Sequence, residues 1–405
     1  MFLQHLSLTN FRTFQRLEID VPAGVTVMVG NNAQGKTSFL EAINFFSTLT
    51  SVQAGRDREL INFHALEDDL PVARLVMEYA RAGNTHTMEA RLILGNGGNG
   101  NGNGRMRKEV LLDGVKRPLQ HALGNFNSVI FLPQMTEIVE GGPDVRRRYL
   151  DMTISQVHSS YARELSGYMQ AIAQRNALLK NLAERGGDQG QLDFWDERVA
   201  DKGSFIIRNR MHMLAEFEKL AAVAHLDLTA QQSPLKIEYL PGFDIQNAMG
   251  EQKALDIGLP SDAHLVELKQ NDLKTAFLQK LRDLHREEIQ RGVTTIGPHR
   301  DELRFIANQV DAGTYGSRGQ IRTVLMALKI GEMQWLHAKT GEHPVLLLDE
   351  TLAELDLPHR DALLGALGDS EQSILTATDE NMFNPAFLEE CTIMHMKEGI
   401  IKENS

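Results

Sequence analysis

The chain has 405 residues, 42% of them hydrophobic, with a formal net charge of −12 and a single cysteine. That length and apolar content suit two or three globular domains, and one cysteine excludes an internal disulfide framework or a cysteine-based zinc site. No apolar stretch reaches the length of a membrane span, and the first residues lack a charged-then-apolar leader pattern, so a cytoplasmic protein with no membrane partner is expected.

Charge is unevenly spread. Gly341 to Ser405 holds fourteen acidic and three basic residues, a balance of −11 that accounts for nearly the whole total. The rest of the chain is close to neutral and leaves room for a basic surface. The carboxyl-terminal part suits a protein partner better than nucleic acid.

Residues 2 to about 29 read as two or three strands, with a tight connection at Asn10-Phe11-Arg12. Gly24 to Val29 reads as a buried strand running into Gly30-Asn31-Asn32-Ala33-Gln34-Gly35-Lys36-Thr37, which fits the pattern G-x-x-x-x-G-K-[ST]. Thr37 to Phe46 reads as a helix leaving the loop, with Phe39, Leu40, Ile43 and Phe46 at helical spacing. Such a turn aims backbone N–H groups from Gly30 through Ser38, together with a positive helix terminus, at the phosphates of a nucleoside triphosphate such as ATP. Lys36 would pair with the β/γ-phosphates and the Thr37 hydroxyl would ligate Mg²⁺. The strand and helix on either side argue against a chance Gly-rich turn.

Arg56 and Arg58 follow this helix, where nucleotide or DNA could lie. Leu75 to Tyr79 and Thr87 to Leu94 read as antiparallel strands, and Gly95 to Gly104, only Gly and Asn, as a hairpin tip. The basic Arg105, Arg107 and Lys108 beyond it fit a solvated strand end better than a phosphate contact. Asp144 to Leu226 turns helical, with Tyr161, Leu165, Tyr168, Ile172 and Leu179 recurring on one face, and a further helix is expected from about Asp272 to Gln290. Arg146, Arg147 and Arg148, flanked by Asp144 and Asp151, fit two readings equally: a grip on DNA phosphates, or intramolecular ion pairs. Strand character resumes near Thr294, interrupted by helices at about 319–338 and 358–367. Cys391 lies in an apolar strand and reads as a core residue.

Val345-Leu346-Leu347-Leu348-Asp349-Glu350 is an apolar run ending in two carboxylates, as a central parallel strand delivers acids to the ligand-binding edge of an α/β sheet. Asp349 would hold Mg²⁺, and Glu350 would polarise the attacking water as general base. More than three hundred residues separate Lys36 from Asp349. The expected organisation is therefore an α/β nucleotide domain from 1–135 and 292–405, interrupted by a mainly helical lobe at 136–291.

Tyr315-Gly316-Ser317-Arg318-Gly319-Gln320, leading into an apolar helix, resembles the signature motif of ABC-type ATPases. That resemblance implies that Ser317, Gly319 and Gln320 meet the γ-phosphate bound by an opposite subunit. Ala353-Glu354-Leu355-Asp356 is similar to the D-loop, with Asp356 facing the dimer partner, and Gln134 in Phe131-Leu132-Pro133-Gln134 fits two readings equally, the Q-loop of that family or a solvent-exposed loop glutamine. The position where the switch residue is usually His reads Thr378-Asp379. Taken with Leu8 to Arg12, Gly142 to Asp151 and Thr295 to Leu303, these stretches give a chain that resembles the RecF family of SMC/Rad50-like ABC ATPases.

The resemblance implies a Rad50-head-like P-loop ATPase fold and a slow, DNA-stimulated ATPase with ATP and Mg²⁺ between two subunits. It also implies an ATP-dependent homodimer closing on double-stranded DNA at gaps or single-strand/double-strand junctions, with RecR- and RecO-type partners loading a recombinase. Glu350 stands where many family members carry Asp. A transporter ATPase subunit shares the motifs but not the long insertion, and a scaffold using ATP only as dimer glue stays open. His299-Arg300-Asp301 is also similar to a kinase catalytic loop, which Ile306 in the place of its Asn rejects.

Overall fold

The computed structural model describes residues 1–95, 105–231, 234–245, 268–350 and 370–403, together with 363, 365 and 368. They divide into two compact units, 1–135 with 326–405, and 136–325. The first unit opens with β1 (Phe2–Phe11), β2 (Phe14–Asp20), β3 (Gly24–Val29), α1 (Lys36–Thr48), β4 (Val72–Arg81), β5 (Asn84–Leu94), β6 (Met106–Leu112), β7 (Val115–Arg117) and β8 (Ser128–Phe131). The second contains α2 (Pro143–Ser155), α3 (Ser159–Arg185), α4 (Leu192–Leu228), β9 (Leu235–Leu240), α5 (Gln270–Asp283), α6 (His285–Arg291), β10 (Glu302–Ala307) and β11 (Val310–Asp311). α7 (Arg318–Thr340) spans the boundary, and β12 (Val345–Asp349), β13 (Gln372–Ala377), β14 (Thr392–Lys397) and β15 (Ile400–Glu403) complete the first unit.

Among the described residues, two six-stranded sheets build the first unit. One is antiparallel, in the order β2-β1-β4-β5-β6-β7. The other runs β15-β14-β3-β13-β12-β8 and is parallel from β14 to β8. The carboxyl-terminal β12 and β13 lie between the amino-terminal β3 and β8, so both ends of the chain are needed for one sheet. Alternation on β4 buries Ala73, Leu75, Met77 and Tyr79, and these join Leu6 and Leu8 of β1, Phe39, Leu40, Ile43 and Phe46 of α1, and Leu347 and Ile374 in one apolar core. Each large side chain so buried contributes about 1.5–3 kcal/mol. Every residue of β12 is buried, as in a parallel strand covered on both faces.

The first hairpin turns at Arg12-Thr13 rather than at Asn10 to Arg12, because Phe11 still pairs with Phe14. Cys391 precedes β14 in a turn, half-buried, its Sγ donating to the Phe387 carbonyl, rather than sitting in a strand core. Burial pushes its thiol up to about 11. The Gly/Asn stretch from 96, the expected helix at 358–367 as a whole, and Asp356 lie outside the described residues.

In the second unit α3 and α4 form an antiparallel pair joined through Gly186 and Gly187, both at positive φ (67° and 137°). Residues 292–325, expected with the nucleotide domain, fall in this unit. β10 pairs antiparallel with β9 there, and strand periodicity says nothing about which sheet a strand will join. The unit is bolted by buried charges. Arg175 of α3 donates to Asp196 of α4 at 2.7 Å and to Glu288 of α6 at 2.6 Å, all three fully buried. Arg210 of α4 donates to Asp151 at 2.8 Å and Asp301 at 2.7 Å.

Candidate nucleotide-binding site

Strands β3, β12, β13 and β8 all end on one edge of the parallel sheet, in register at Val29 with Ala377, Thr376 with Asp349, and Leu348 with Phe131. From that edge the chain leaves β3 at Gly30 and turns back into α1. A Cβ at Gly30 would lie 2.4 Å from the Met396 carbonyl oxygen, so β14 itself demands glycine there. Gly35 sits at φ 109° with its absent Cβ 2.9 Å from Thr13 Oγ1. Gln34 accepts a hydrogen bond from the Glu398 amide in the turn between β14 and β15, which tethers the loop to that hairpin. α1 has no side-chain cap and no acidic residue in its first turn. Its leading N–H groups and the dipole behind them are thus available to an anion.

The Lys36 ammonium, on a side chain only 4% exposed, donates to the carbonyls of Gly30 (2.5 Å) and Asn31 (3.0 Å) and lies 3.1 Å from Glu350 Oε1. Thr37 Oγ1 donates to Asp349 Oδ2 at 2.6 Å. On the other side Thr376 Oγ1 donates to Asp349 Oδ1 at 2.7 Å and accepts from the Glu350 amide at 3.0 Å. Burial raises the Asp349 carboxyl above the usual range, while the two threonine hydroxyls pull the other way. Glu350 occupies the left-handed region at φ 48°, an uncommon conformation for a residue with a side chain. Lys36, Thr37, Asp349 and Glu350 therefore meet in one place, although they come from opposite ends of the sequence.

The pairing of a hydroxyl and a buried carboxylate at Thr37 and Asp349 fits Mg²⁺, which takes one or two protein oxygens and completes its octahedron with phosphate oxygens and water. Asn31, Asn32 and Ala33 are exposed at the loop tip, and Ser38 is half-buried in the first turn of α1. Gln134 is exposed just beyond β8, on the same sheet edge as Asp349. At the switch position, Thr378 and Asp379 are exposed; the Asp379 carboxylate accepts from the Asn381 amide at 2.9 Å and caps a short turn.

In the second unit, Ser317 and Gln320 form a reciprocal cap at the start of α7. The Ser317 amide donates to Gln320 Oε1 at 2.8 Å, and the Gln320 amide donates to Ser317 Oγ at 3.3 Å. A hydroxyl that accepts still has its own proton to donate. Ser317, Gly319 and Gln320 are all exposed. Of the basic cluster, Arg146 makes a two-pronged pair with Glu302 (2.8 and 3.0 Å) and bonds the Val139 and Gly141 carbonyls, and Arg147 donates to the Asp301 carbonyl at 2.6 Å. Arg148 is exposed on α2, and Arg56 is exposed before the turn at Asp57–Leu60. Thr376 escaped the sequence reading; its one available signal was a polar residue inside the apolar run Ile374 to Ala377.

A glycine-bounded phosphate cradle, faced by an acidic strand end on a sheet assembled from both chain ends, defines a P-loop nucleotide-binding protein of the SMC/Rad50-like head class. The family model described as "RecF/RecN/SMC N terminal domain" matches residues 2–402. The DNA replication and repair proteins RecF of Herpetosiphon aurantiacus and Roseiflexus castenholzii are 35% and 36% identical, over 99% and 98% of this chain and 99% of each relative. The chain belongs to the RecF family. Among solved structures, the recombination mediator protein RecF with ATPrS, in the RecFOR pathway, is 27% identical, with a TM-score of 0.82 over 100% of this chain and 98% of that one. An SmcHead bound to the C-winged helix domain of ScpA shares the fold at 14% identity, with a TM-score of 0.50 over 100% of this chain and 98% of that one.

Proposed function

We infer that this protein is an ATPase that dimerises around ATP and Mg²⁺ and closes on double-stranded DNA during recombinational repair and replication restart. The convergence of Lys36, Thr37, Asp349 and Glu350 carries the reading. Mg²⁺, when bound, draws negative charge from the phosphate oxygens. Thr37 and Asp349 would hold it. Lys36 and the loop amides from Asn31 to Ser38 would grip the phosphates, the Gly30 amide being already given to the Ala377 carbonyl across the sheet; Glu350 would take a proton from the attacking water, and Gln134 would report on the metal and γ-phosphate. Ser317, Gly319 and Gln320 of a second subunit would close over the γ-phosphate, with Asp356 at the dimer face.

The solved RecF bound to ATPrS and the family's role in DNA replication and repair support this reading. So does its placement in the RecFOR pathway, which supports RecR- and RecO-type partners for this chain. DNA phosphates would meet the exposed Arg56 and Arg148, while Arg146 and Arg147 hold the second unit's own carboxylate and carbonyl groups. Binding of this kind falls steeply with salt and reads structure more than sequence.

Sedimentation with and without ATP–Mg²⁺, repeated with duplex DNA at low and moderate salt, tests the proposal. An ATP-dependent dimer that binds DNA, and that Lys36→Ala abolishes, is the expected result. A wild-type monomer indifferent to both ligands would overturn it. Glu350→Gln should bind ATP, accumulate as a dimer and turn over less; behaviour identical to wild type would leave ATP as dimer glue only.

A further inference from the structure

The geometry points to Thr376 as the positioning residue of this site, one hydroxyl that fixes both the metal-binding and the water-activating carboxylate. The inference rests on the ATPase reading above. Thr376 is 4% exposed on β13, directly opposite Asp349 in the parallel ladder. A threonine hydroxyl has one proton to give and lone pairs to receive, and both capacities are used here. The proton goes to Asp349 Oδ1 at 2.7 Å, and the oxygen receives the Glu350 amide at 3.0 Å. Thr37 holds the other Asp349 oxygen, so the carboxylate is clamped from two sides and its plane is set.

The bond to the Glu350 amide has a different consequence. Residue 350 turns into the left-handed region directly after β12, which swings its side chain back toward Lys36. A non-glycine residue is held there only when its surroundings enforce it, and the Thr376 oxygen is the group that receives its amide. Asp349 and Glu350 are thus coupled through a side chain that need touch neither nucleotide nor metal.

Three variants test this. Thr376→Val keeps the shape and removes the hydroxyl; Thr376→Ser keeps the hydroxyl. Thr26→Val makes the same chemical change on neighbouring β3, where the buried hydroxyl has no hydrogen-bond partner among the described residues. Binding of a fluorescent ATP analogue is measured in Mg²⁺ and in EDTA, alongside single-turnover hydrolysis. Losing a hydrogen bond to a charged group costs about tenfold or more. Thr376→Val should therefore lose at least about tenfold in turnover and in the gain of affinity that Mg²⁺ brings, with binding in EDTA unchanged. Thr376→Ser should restore most of both, and Thr26→Val should match wild type. Wild-type behaviour in Thr376→Val, equal losses in the valine and serine variants, or an equal loss in Thr26→Val would overturn the assignment. A wild-type protein that binds no nucleotide under either condition would overturn the ATPase reading, and this inference with it.

Discussion

Replacing Arg175 with methionine removes the one cation from a fully buried trio. Asp196 and Glu288 would then face each other's surroundings without the guanidinium that reaches them at 2.7 and 2.6 Å. Breaking a buried pair by deleting one partner costs about 3–5 kcal/mol, because the abandoned charge must be desolvated without compensation. Residual support exists: Glu288 also accepts from the Thr295 amide, and Asp196 from His285. That places the cost toward the lower end. With a urea slope of about 2 kcal/mol per molar, the unfolding midpoint should fall by about 1.5 M. Trp195 lies beside Asp196 in the second unit and Trp335 in the first, so fluorescence in a Trp335→Phe background follows the second unit's transition alone. A triple variant, Arg175→Met with Asp196→Leu and Glu288→Met, should recover most of the loss, since an apolar trio of similar volume is often no worse than the ionic one. A single-variant cost below about 1 kcal/mol would refute the view that the guanidinium holds these buried carboxylates, and a triple variant worse than the single would refute the view that the cost comes from the abandoned charges.

Gly35→Ala should abolish tight nucleotide binding in a fluorescent-analogue titration, because the residue needs φ 109° and its Cβ would press on Thr13 Oγ1. His299 gives a pH signature. Burial drives its imidazole down to about 4, and in its neutral form it accepts from the Tyr168 hydroxyl at 2.6 Å. Because the unfolded chain binds that proton more readily, stability is fully present above about pH 6.5 and is lost as pH falls toward 4, by up to about 3 kcal/mol. Urea midpoints measured across that window should show the slope, and His299→Gln should flatten it.

The phosphate loop was legible because its chemistry is local: a glycine pattern with its strand before and its helix after. Asp349 and Glu350 could be read for the same reason, as the end of an apolar run. The paired helices showed their period, and only their partner strands were ambiguous. Residues 292–325 group with the second unit through the pairing of β9 with β10, a fact of register that is invisible to periodicity. The Arg146 question turned on Glu302, 156 positions away, which no window of sequence contains. Thr376 was hidden for a different reason: its two bonds run sideways across the sheet to the end of β12, 27 and 26 positions back in the chain, and periodicity does not report which strands are neighbours.

The interleaving of β12 and β13 between β3 and β8 sets a timetable for synthesis. When β8 leaves the ribosome, the parallel sheet has a gap two strands wide, with the bare edges of β3 and β8 facing it. Some 240 residues must still be made before β13 closes it, which at about 5–20 residues per second takes tens of seconds. A nascent or truncated chain therefore carries a complete phosphate loop and no carboxylate to work with it. Such a fragment would offer sticky edges to chaperones and proteases, and the cell would never meet a half-made copy able to fire.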